Sequence, residues 1–299
     1  ASRVQAIASR RPGVAAEWAR ELSIASACED YEALLSSPEV DAVYIPATGE
    51  EHAPLTIAAA RAGKHVLCEK PLATSLGEAE AMVAACRESG VLLQEAFMWR
   101  HHPRTARTQE LIAQGTIGPL RQINVSFSFP LRPDDWRHRP ERGGGAMWDL
   151  GCYGVNAARF FTASEPDDVY SRAHFGPTGV DLSMQIALRF PGDVLANIDC
   201  SFEAPWRCRM ELVGSTGRIE WHTAFQDWAP EIRLDCSSDW SKSPAVIPCE
   251  RVNQYACMVT DFCRSIRAGV SLAPAEDGLA NMRVLEQVLA SARSGGSRS

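Results

Sequence analysis

The chain has 299 residues, 45% of them hydrophobic, and carries a formal net charge of -7 at pH 7. This length provides enough apolar residues for two packed cores, so we expect two domains. The acidic balance excludes a nucleic-acid or anionic-membrane partner, because either requires a field of Lys and Arg, and it leaves a small molecule as the expected partner.

The N-terminal third alternates short apolar runs with helical patterns, which is typical of a parallel sheet with crossover helices. Strands are predicted at Val4–Ala8, Ala42–Pro46, His65–Glu69 and Val91–Phe97. One helix is marked by a proline in its first turn and a glycine after its last, and another by a capping box and a glycine stop: Pro54 and Gly63, then Ser75, Glu78 and Gly90. We therefore predict an α/β Rossmann-type domain over residues 1–98.

Beyond Trp99, apolar and polar residues alternate, which indicates half-buried antiparallel strands. Such strands are predicted at 123–129, 182–190, 194–202, 208–213 and 218–221, and helices at 105–114, 147–161, 255–267 and 276–292. Residues 99–293 are thus predicted to form an α+β domain with a large open, mainly antiparallel sheet. The Gly- and Ser-rich tail, residues 294–299, is expected to be disordered.

Cysteine use and hydropathy indicate a soluble protein of a reducing compartment. The ten cysteines show no C-x-x-C pair and no cluster with histidine at metal-ligand spacing, so we assign no disulfide and no metal. No apolar run approaches the ~20 residues that span a bilayer, and residues 1–20 contain no hydrophobic segment of a secretory signal. These features favour a cytoplasmic location.

The first candidate for chemistry is the end of the third predicted strand, where Glu69, Lys70 and Pro71 follow an apolar run. Ligands of open α/β sheets bind at the carboxyl ends of the strands. A lysine there can neutralise an anion, orient a hydroxyl or depress the pKa of a neighbouring phenol. On spacing alone, a surface lysine after a strand is an equal alternative.

The second candidate is the glycine turn Gly143–Gly145 with the helix that follows it. In a regular helix Asp149, Tyr153 and Asn156 share one face, because residues three and four apart are neighbours. An acid, a phenol and an amide on one face predict a polar pocket. The alternative is the ordinary solvent-facing side of an amphipathic helix.

Together the two segments resemble the glucose-fructose oxidoreductase, inositol dehydrogenase and rhizopine-catabolism (Gfo/Idh/MocA) family over nearly the whole chain. The resemblance lies in the Glu-Lys-Pro signature within Ala62–Ala73 and the Asp-x-Gly-x-Tyr pattern within Asp149–Phe161. Val43–Pro46 and Gln94–Arg100 are similar to the branch of dihydrodiol dehydrogenase, NADP-dependent xylose dehydrogenase and glucose-fructose oxidoreductase. The resemblance implies a dehydrogenase acting on a CH–OH group of a sugar, polyol or dihydrodiol. It also implies a homodimer or homotetramer formed through the second-domain sheet.

The resemblance implies roles for individual residues. Lys70 would contact the substrate hydroxyl and the nicotinamide ribose, Tyr153 would be the acid or base, and Asp149 would position the sugar. A phenol takes a hydroxyl proton at neutral pH only if a nearby cation favours phenolate, and Lys70 would supply that cation. Further substrate contacts are expected from Trp99, Arg100 and Asn156, and cofactor contacts from Pro46, His52, Glu69, Lys70, Trp136 and Arg137.

Cofactor choice is predicted from Ser9 and Arg10, which follow the first strand where such folds meet the adenine ribose. A carboxylate there would favour NAD, whereas a hydroxyl and a guanidinium bind a 2'-phosphate. NADP is therefore the expected cofactor. NAD as cofactor, and a solvated basic turn, are the alternatives.

Two features depart from the family pattern. No G-x-G-x-x-G pattern occurs in the sequence. This predicts a Rossmann domain without its first strand, glycine loop and helix, roughly 25 to 30 residues, and with exposed sheet edges and weak cofactor affinity. Gly49 stands where the family usually has Asn, which leaves the role of this loop open, and His52 is alternatively the cap of a helix starting at Ala53.

Three other functions are compatible with the sequence: a non-catalytic regulator of the same fold that senses a dinucleotide, an inactive fragment, and an NAD-dependent glycosidase that oxidises its substrate transiently. Lys70 counts against the regulator, because such proteins typically lack the catalytic lysine. Release of an aglycone would distinguish the glycosidase from a dehydrogenase.

Overall fold

The computed structural model describes residues 2–237 and 241–295. Its N-terminal part holds two groups of parallel strands. β1 (Ala6–Ala8) pairs with β2 (Ser26–Cys28), and β4 (His65–Cys68) lies between β3 (Ala42–Ile45) and β5 (Leu93–Glu95). The two groups are separate sheets within the described residues. The accompanying helices are α1 (Val14–Glu21), α2 (Tyr31–Ser36), α3 (Gly49–Arg61) and α4 (Leu76–Glu88).

The C-terminal part is built on a single large sheet. Its strands are β6 (Leu120–Ser128), β7 (Asp168–Phe175), β8 (Asp181–Phe190), β9 (Val194–Ser201), β10 (Arg207–Gly214), β11 (Arg218–Trp221), β12 (Glu231–Asp235) and β13 (Ala245–Pro248). They lie in the order β13-β12-β11-β10-β6-β9-β8-β7, with β6 and β9 parallel and the other neighbours antiparallel. The helices are α5 (Pro103–Ala113), α6 (Cys152–Thr162), α7 (Gln254–Ala268) and α8 (Ala275–Arg293). This architecture is the predicted one.

The large sheet has one buried face and one open face. Along β8, Met184, Ile186 and Leu188 are buried, while Gln185 and Ala187 between them are exposed. This period of two reflects side chains that alternate across a strand. Helix α6 packs on the buried face over β6 and β9, and α8 contacts both β7 and α4. The last helix therefore joins the two parts of the molecule.

Helix α3 begins earlier than predicted. It starts at Gly49 rather than Ala53, so Pro54 lies inside it and the interpretation of His52 as a helix cap is wrong. Thr48 is the extended residue before the helix, and Glu50 and Glu51 place negative charge in its first turn. Because carboxylates near a helix N-terminus are favourable, these residues favour the earlier start.

The C-terminal helix ends at Arg293, directly before the tail that was predicted to be disordered. Ser294 is the residue after α8, and its N–H donates to Ala290 O. Residues 296–299 of the predicted tail lie outside the described residues. Among the helices in residues 2–237 and 241–295, none combines the length and apolar character needed to cross a membrane.

Candidate active site

The candidate site forms where the loop after β4 meets the segment before α6. Lys70 Nζ lies 2.9 Å from both the main-chain oxygen and Oδ1 of Asp149. Each of the two side chains is 13% exposed. Burial disfavours the ammonium, but Asp149, Tyr153, Cys152 and Glu69 together outweigh burial and raise the pKa of Lys70 well above its usual value. Lys70 is therefore a cation at neutral pH.

Asp149 binds two cations at once. Its Oδ2 accepts from Arg137 Nε at 2.7 Å, and Arg137 is also paired with Asp135. Burial favours the protonated carboxyl, yet Lys70 and Arg137 together lower the pKa of Asp149 below its usual value. Its two oxygens thus orient Lys70 and Arg137, and a sugar hydroxyl would have to share one of them.

Tyr153 lies on the other side of Lys70. The ammonium is 4.8 Å from the centroid of the phenol ring. The Tyr153 hydroxyl is 3.7 Å from the sulfur of Met98. Three aromatic rings enclose the phenol: Phe97 at 5.4 Å, Phe127 at 5.5 Å and Phe225 at 4.8 Å between centroids.

This enclosure keeps the phenol of Tyr153 neutral. Burial raises its pKa well above the usual value, and Lys70 offsets only part of that effect. Lys70 acts in the expected direction, since its charge lowers the pKa of the phenol, but burial has the larger effect and Asp149 pairs with the ammonium. In this geometry Tyr153 donates a proton more readily than it accepts one.

The turn that carries Asp149 is π-helical over Met147–Gly151, and α6 begins only at Cys152. The wider turn removes Asp149 from the regular helical face predicted for it. Asn156 is 1% exposed, and its amide has no hydrogen-bond partner within the described ranges. The prediction of one shared polar face is wrong: Asp149 and Tyr153 meet at Lys70, while Asn156 is buried within α6.

A buried carboxylate holds this turn in place. Asp181, at the start of β8, accepts from the amide of Met147 at 2.6 Å. Gly145 has φ of +125°, and a Cβ there would come within 2.4 Å of Asp181 Oδ1. Only glycine combines that backbone conformation with so close an approach. Burial raises the pKa of Asp181 to about 7.

Residues predicted to meet the adenosine end of a cofactor follow β1 and β3. Ser9 is half-buried and accepts from the amide of Arg11 at 3.2 Å. Arg10 forms an ion pair with Glu51 of α3, and its side chain remains 59% exposed. Pro46 is exposed directly after β3. These side chains lie at the carboxyl ends of parallel strands, where the fold binds its ligands.

Glu69 is held at the end of β4 by a residue that sequence reasoning missed. One of its oxygens accepts from the Tyr44 hydroxyl, and the other accepts from the amide of Lys70 at 3.2 Å. Tyr255 of α7 also lies near, and burial together with the charge of Glu69 raises its pKa. Tyr44 is a partly exposed tyrosine on a strand, and nothing in the local sequence links it to Glu69.

His52 joins two loops of the cofactor edge. It is 1% exposed, with Nδ1 at 2.9 Å from Pro71 O and Nε2 at 3.0 Å from Ala47 O. Both ring nitrogens therefore face main-chain carbonyls rather than the open edge. Gly49 is close-packed nearby, since a Cβ would lie 2.8 Å from Thr74 Cγ2. This packing accounts for a residue without a side chain where the family pattern has Asn.

Trp136 lies between two guanidinium groups, with Arg137 at 4.8 Å and Arg142 at 5.9 Å from its ring. Arg142 donates to Glu50 at 3.0 Å and to Thr48 at 3.1 Å. The segment after β6 is thereby tied to the start of α3, beside the strand ends. Sequence reasoning missed Arg142, because a lone arginine before a glycine turn forms no pattern.

Trp99 and Arg100 do not line the site, and the expectation that they contact the substrate is wrong. Trp99 is 0% exposed and packs against Phe161 and Trp221. Arg100 forms an ion pair with Asp277 of α8. The 3-10 turn Met98–His101 directs the first side chain into the core and the second toward α8.

A buried acid behind the Lys70 loop was also missed. Glu95, the last residue of β5, is 7% exposed and accepts from the amide of Leu72 at 2.8 Å. Burial and the charge of Asp277 raise its pKa to about 8, although Arg159 and Arg100 act in the opposite direction. Glu95 thus holds the end of the loop that carries Lys70.

These residues fit a nicotinamide dinucleotide. A hydroxyl and an exposed guanidinium suit a ribose phosphate at the ends of β1, while an ammonium and a phenol suit the reacting carbon and oxygen at the end of β4. No group of three His, Cys, Asp or Glu residues able to hold a metal occurs within the part of the chain that the structure describes.

Comparison with known proteins identifies the class. Residues 1–97 match an oxidoreductase family with an NAD-binding Rossmann fold, and residues 105–220 match the GFO/IDH/MocA C-terminal domain. The chain therefore belongs to the Gfo/Idh/MocA family of dinucleotide-binding oxidoreductases. The predicted family, fold class, enzyme class and nicotinamide cofactor are confirmed.

Individual relatives resemble the chain over nearly its full length. D-xylose 1-dehydrogenase (NADP(+)) 2 of Haloferax volcanii is 36% identical over 97% of this chain and 90% of that protein. Aldose-aldose oxidoreductase of Caulobacter crescentus, solved with glycerol, has a TM-score of 0.90 at 28% identity, covering 98% of this chain and 90% of the other. A 3-ketoreductase of Actinomadura kijaniata, solved with NADP and TDP-benzene, has a TM-score of 0.87 at 32% identity, covering 98% and 89%.

Proposed function

We propose that the protein transfers a hydride between NADP and the CH–OH or C=O carbon of a small sugar, polyol or diol. The observation that carries this proposal is the meeting of Lys70, Asp149 and Tyr153 at the carboxyl end of β4. By their descriptions, the relatives named above are a xylose dehydrogenase, an aldose-aldose oxidoreductase and a 3-ketoreductase. Their chemistry matches a site that offers a cation and a phenol to an oxygen atom.

The chemistry divides between the cofactor and the protein. When bound, NADPH would supply the hydride for reduction and NADP+ would accept it in oxidation. Lys70 holds the oxygen of the reacting carbon and favours negative charge on it, and the neutral phenol of Tyr153 donates a proton to that oxygen as the carbonyl is reduced. In the oxidising direction the phenol must first lose its own proton, which its burial opposes. We therefore propose that reduction uses the neutral phenol near neutral pH, and that the rate of oxidation rises with pH.

NADP is proposed over NAD on the basis of Ser9 and Arg10. The guanidinium of Arg10 is exposed although paired with Glu51, so it can exchange this carboxylate for a 2'-phosphate. Pro46, Glu69, Trp136 and Arg137 are proposed cofactor contacts because they lie along the same strand ends. His52 is proposed to act through the two loops that it joins.

The test is nicotinamide absorbance with NADP and NADPH against pentoses, hexoses, inositols, dihydrodiols and the matching ketones. We expect turnover of one substrate class. Lys70→Ala and Tyr153→Phe should each lower kcat at least about a hundredfold. Arg10→Ala should raise the KM for NADP but leave the KM for NAD unchanged. The matched controls are Lys64→Ala, at a half-buried lysine that donates to Ser37 O, and Tyr170→Phe, at an exposed tyrosine. If the protein bound a dinucleotide but turned over none of these compounds, the proposed dehydrogenase function would be wrong and a dinucleotide sensor would be the better proposal.

We also propose that the chain divides into two domains, residues 1–98 and residues 99–293. We propose that the protein is cytoplasmic and that two or four copies assemble through the open face of the large sheet. That face carries a polar network, in which Asn124 contacts Glu211 and Asn197 and Ser126 contacts Asp199. A network of this kind suits an interface with a polar rim. A monomeric mass in light scattering would refute the assembly.

A further inference from the structure

A continuous row of aromatic rings runs from the active site to the surface. We call Tyr153, Phe127, Trp206 and Trp228 the aromatic strip. Neighbouring ring centroids are 5.5 Å apart from Tyr153 to Phe127, 6.0 Å from Phe127 to Trp206, and 5.5 Å from Trp206 to Trp228. These distances are typical of rings in direct contact.

The strip becomes exposed along its length. Tyr153 and Phe127 are each 6% exposed, whereas Trp206 is 45% and Trp228 is 56% exposed. Large aromatic side chains usually bury most of their surface, so two touching tryptophans open to solvent are unusual. Their contact with Phe127 joins this open surface to the ring of Tyr153.

The loops that carry the tryptophans are fixed. Buried Arg104 donates from one nitrogen to three carbonyls of the loop before Trp228, those of Thr223, Ala224 and Gln226, at 3.0, 2.8 and 3.2 Å. The loop before Trp206 is held by Ser128, whose hydroxyl donates to Pro205 O at 2.6 Å. A surface whose main chain is held in this way loses little entropy when a ligand binds.

The charges beside the tryptophans indicate a neutral ligand. Arg207, next to Trp206, is bound by Asp199 and Ser128. Asp227, next to Trp228, accepts from the amide of Gln254. Because both charged neighbours already have partners, the surface offers stacking rather than a site for phosphate.

We infer that Trp206 and Trp228 form a second ring subsite, which binds a neutral ring with a flat apolar face while the ring joined to it reacts at Tyr153. This inference rests on the proposed function of Tyr153. Two sources share that chemistry: an aryl group, and a second pyranose ring, whose C–H face stacks on indole. The preferred substrate therefore has two rings, and the tryptophans contribute to its KM rather than to kcat.

The test compares one-ring and two-ring probes. The one-ring probes are D-xylose and methyl β-D-xyloside, and the two-ring probes are phenyl β-D-xyloside and xylobiose. Calorimetric titration with these four compounds measures binding without turnover. Steady-state kinetics with the substrate panel and the ketone counterparts of the probes measures kcat and KM. We expect a two-ring probe to bind about tenfold more tightly than its one-ring partner, and Trp206→Ala and Trp228→Ala each to remove about three- to tenfold of this preference. Trp228→Phe should restore part of it. Phenyl β-D-xyloside against xylobiose distinguishes an aryl group from a sugar.

Controls separate this inference from the proposed function. Trp18→Ala, on an equally exposed tryptophan of α1, should change no parameter. Equal binding of one-ring and two-ring probes by the unsubstituted protein would overturn the subsite, as would equal losses for both kinds of probe in the tryptophan variants. If thymidine diphosphate bound more tightly than phenyl β-D-xyloside and xylobiose, the inference that the subsite binds a neutral ring would be wrong. A change of oligomeric mass with unchanged binding would assign the tryptophans to an interface between copies. Absence of turnover with every compound would refute the dehydrogenase, while the titration would still decide the subsite.

Discussion

Lys70 is flanked by charged side chains on one side and by aromatic side chains on the other. On one side Asp149, Arg137 and Asp135 form a chain of alternating charges. On the other side lie the rings of Tyr153, Phe127 and Phe225. The ionic side fixes where the ammonium is and keeps it charged. The aromatic side excludes water and raises the pKa of the phenol, so the two sides control the two ionisable groups separately.

The largest effect is expected from Asp149→Asn on the ionic side. This change leaves the buried cations Lys70 and Arg137 without their shared carboxylate, and breaking a buried ion pair costs about 3 to 5 kcal/mol. We expect kcat to fall at least about a hundredfold, because the ammonium loses its fixed position. Denaturant unfolding and steady-state kinetics measure both quantities.

The matched control is Asp167→Asn, which breaks an ion pair with Arg189 whose side chains are about half exposed. Surface pairs contribute little, so stability and turnover should stay nearly unchanged. If Asp149→Asn behaved like this control, the ionic side would not position Lys70.

A pH-dependent effect is expected from Glu95→Gln, behind the same loop. The pKa of Glu95 is about 8 in the folded protein against 4.5 in an unfolded chain, so the unfolded state releases this proton first as pH rises. The free energy of unfolding should therefore fall between about pH 4.5 and 8, and Glu95→Gln should flatten that fall. Chemical unfolding of both proteins across this range measures the difference. An unchanged slope in Glu95→Gln, or equal flattening in the exposed control Glu80→Gln, would contradict it.

The smallest effect is expected from Phe225→Leu on the aromatic side. A smaller side chain opens a gap beside Tyr153, costing about 1 kcal/mol or slightly more of stability. Water entering the gap relieves the burial that raises the phenol pKa, so the alkaline limb of the pH profile for reduction should move to lower pH. Phe190→Leu, in the core of β8, should lower stability without moving the limb. A limb that moves in both variants would show a general loss of packing.

Sequence reasoning predicted the residues that meet at the candidate site better than it predicted their surroundings. Lys70 and Tyr153 could be predicted because each stands in a local motif at the end of a buried strand or the start of a helix. The π-helical turn at Met147–Gly151 could not, since it depends on Asp181 from a distant strand. Trp99 was misplaced because an aromatic residue next to a site has the same sequence signal whether it faces the ligand or the core.

Much of the fold could be predicted from the alternation of apolar and polar residues. The strands that were not predicted show little of this alternation. The strands β6, β8, β9 and β10 alternate clearly and were predicted. β7 and β13 are at the sheet edges, where fewer residues are buried and the alternation fades. Trp206 and Trp228 lie in separate loops, and no local pattern indicates that their rings meet.

Arg104 has a consequence for how such a site can diversify. Its guanidinium binds the loop before Trp228 through main-chain carbonyls alone. The side chain of Gln226 takes no part in those bonds, so it can be exchanged without loss of the anchor, whereas Ala224 is fully buried and the Thr223 hydroxyl donates to Ala229 O. A loop that is held through its main chain can vary its solvent-facing side chains while keeping its shape. New side chains can therefore be introduced beside Trp228 by single substitutions, without refolding of the loop.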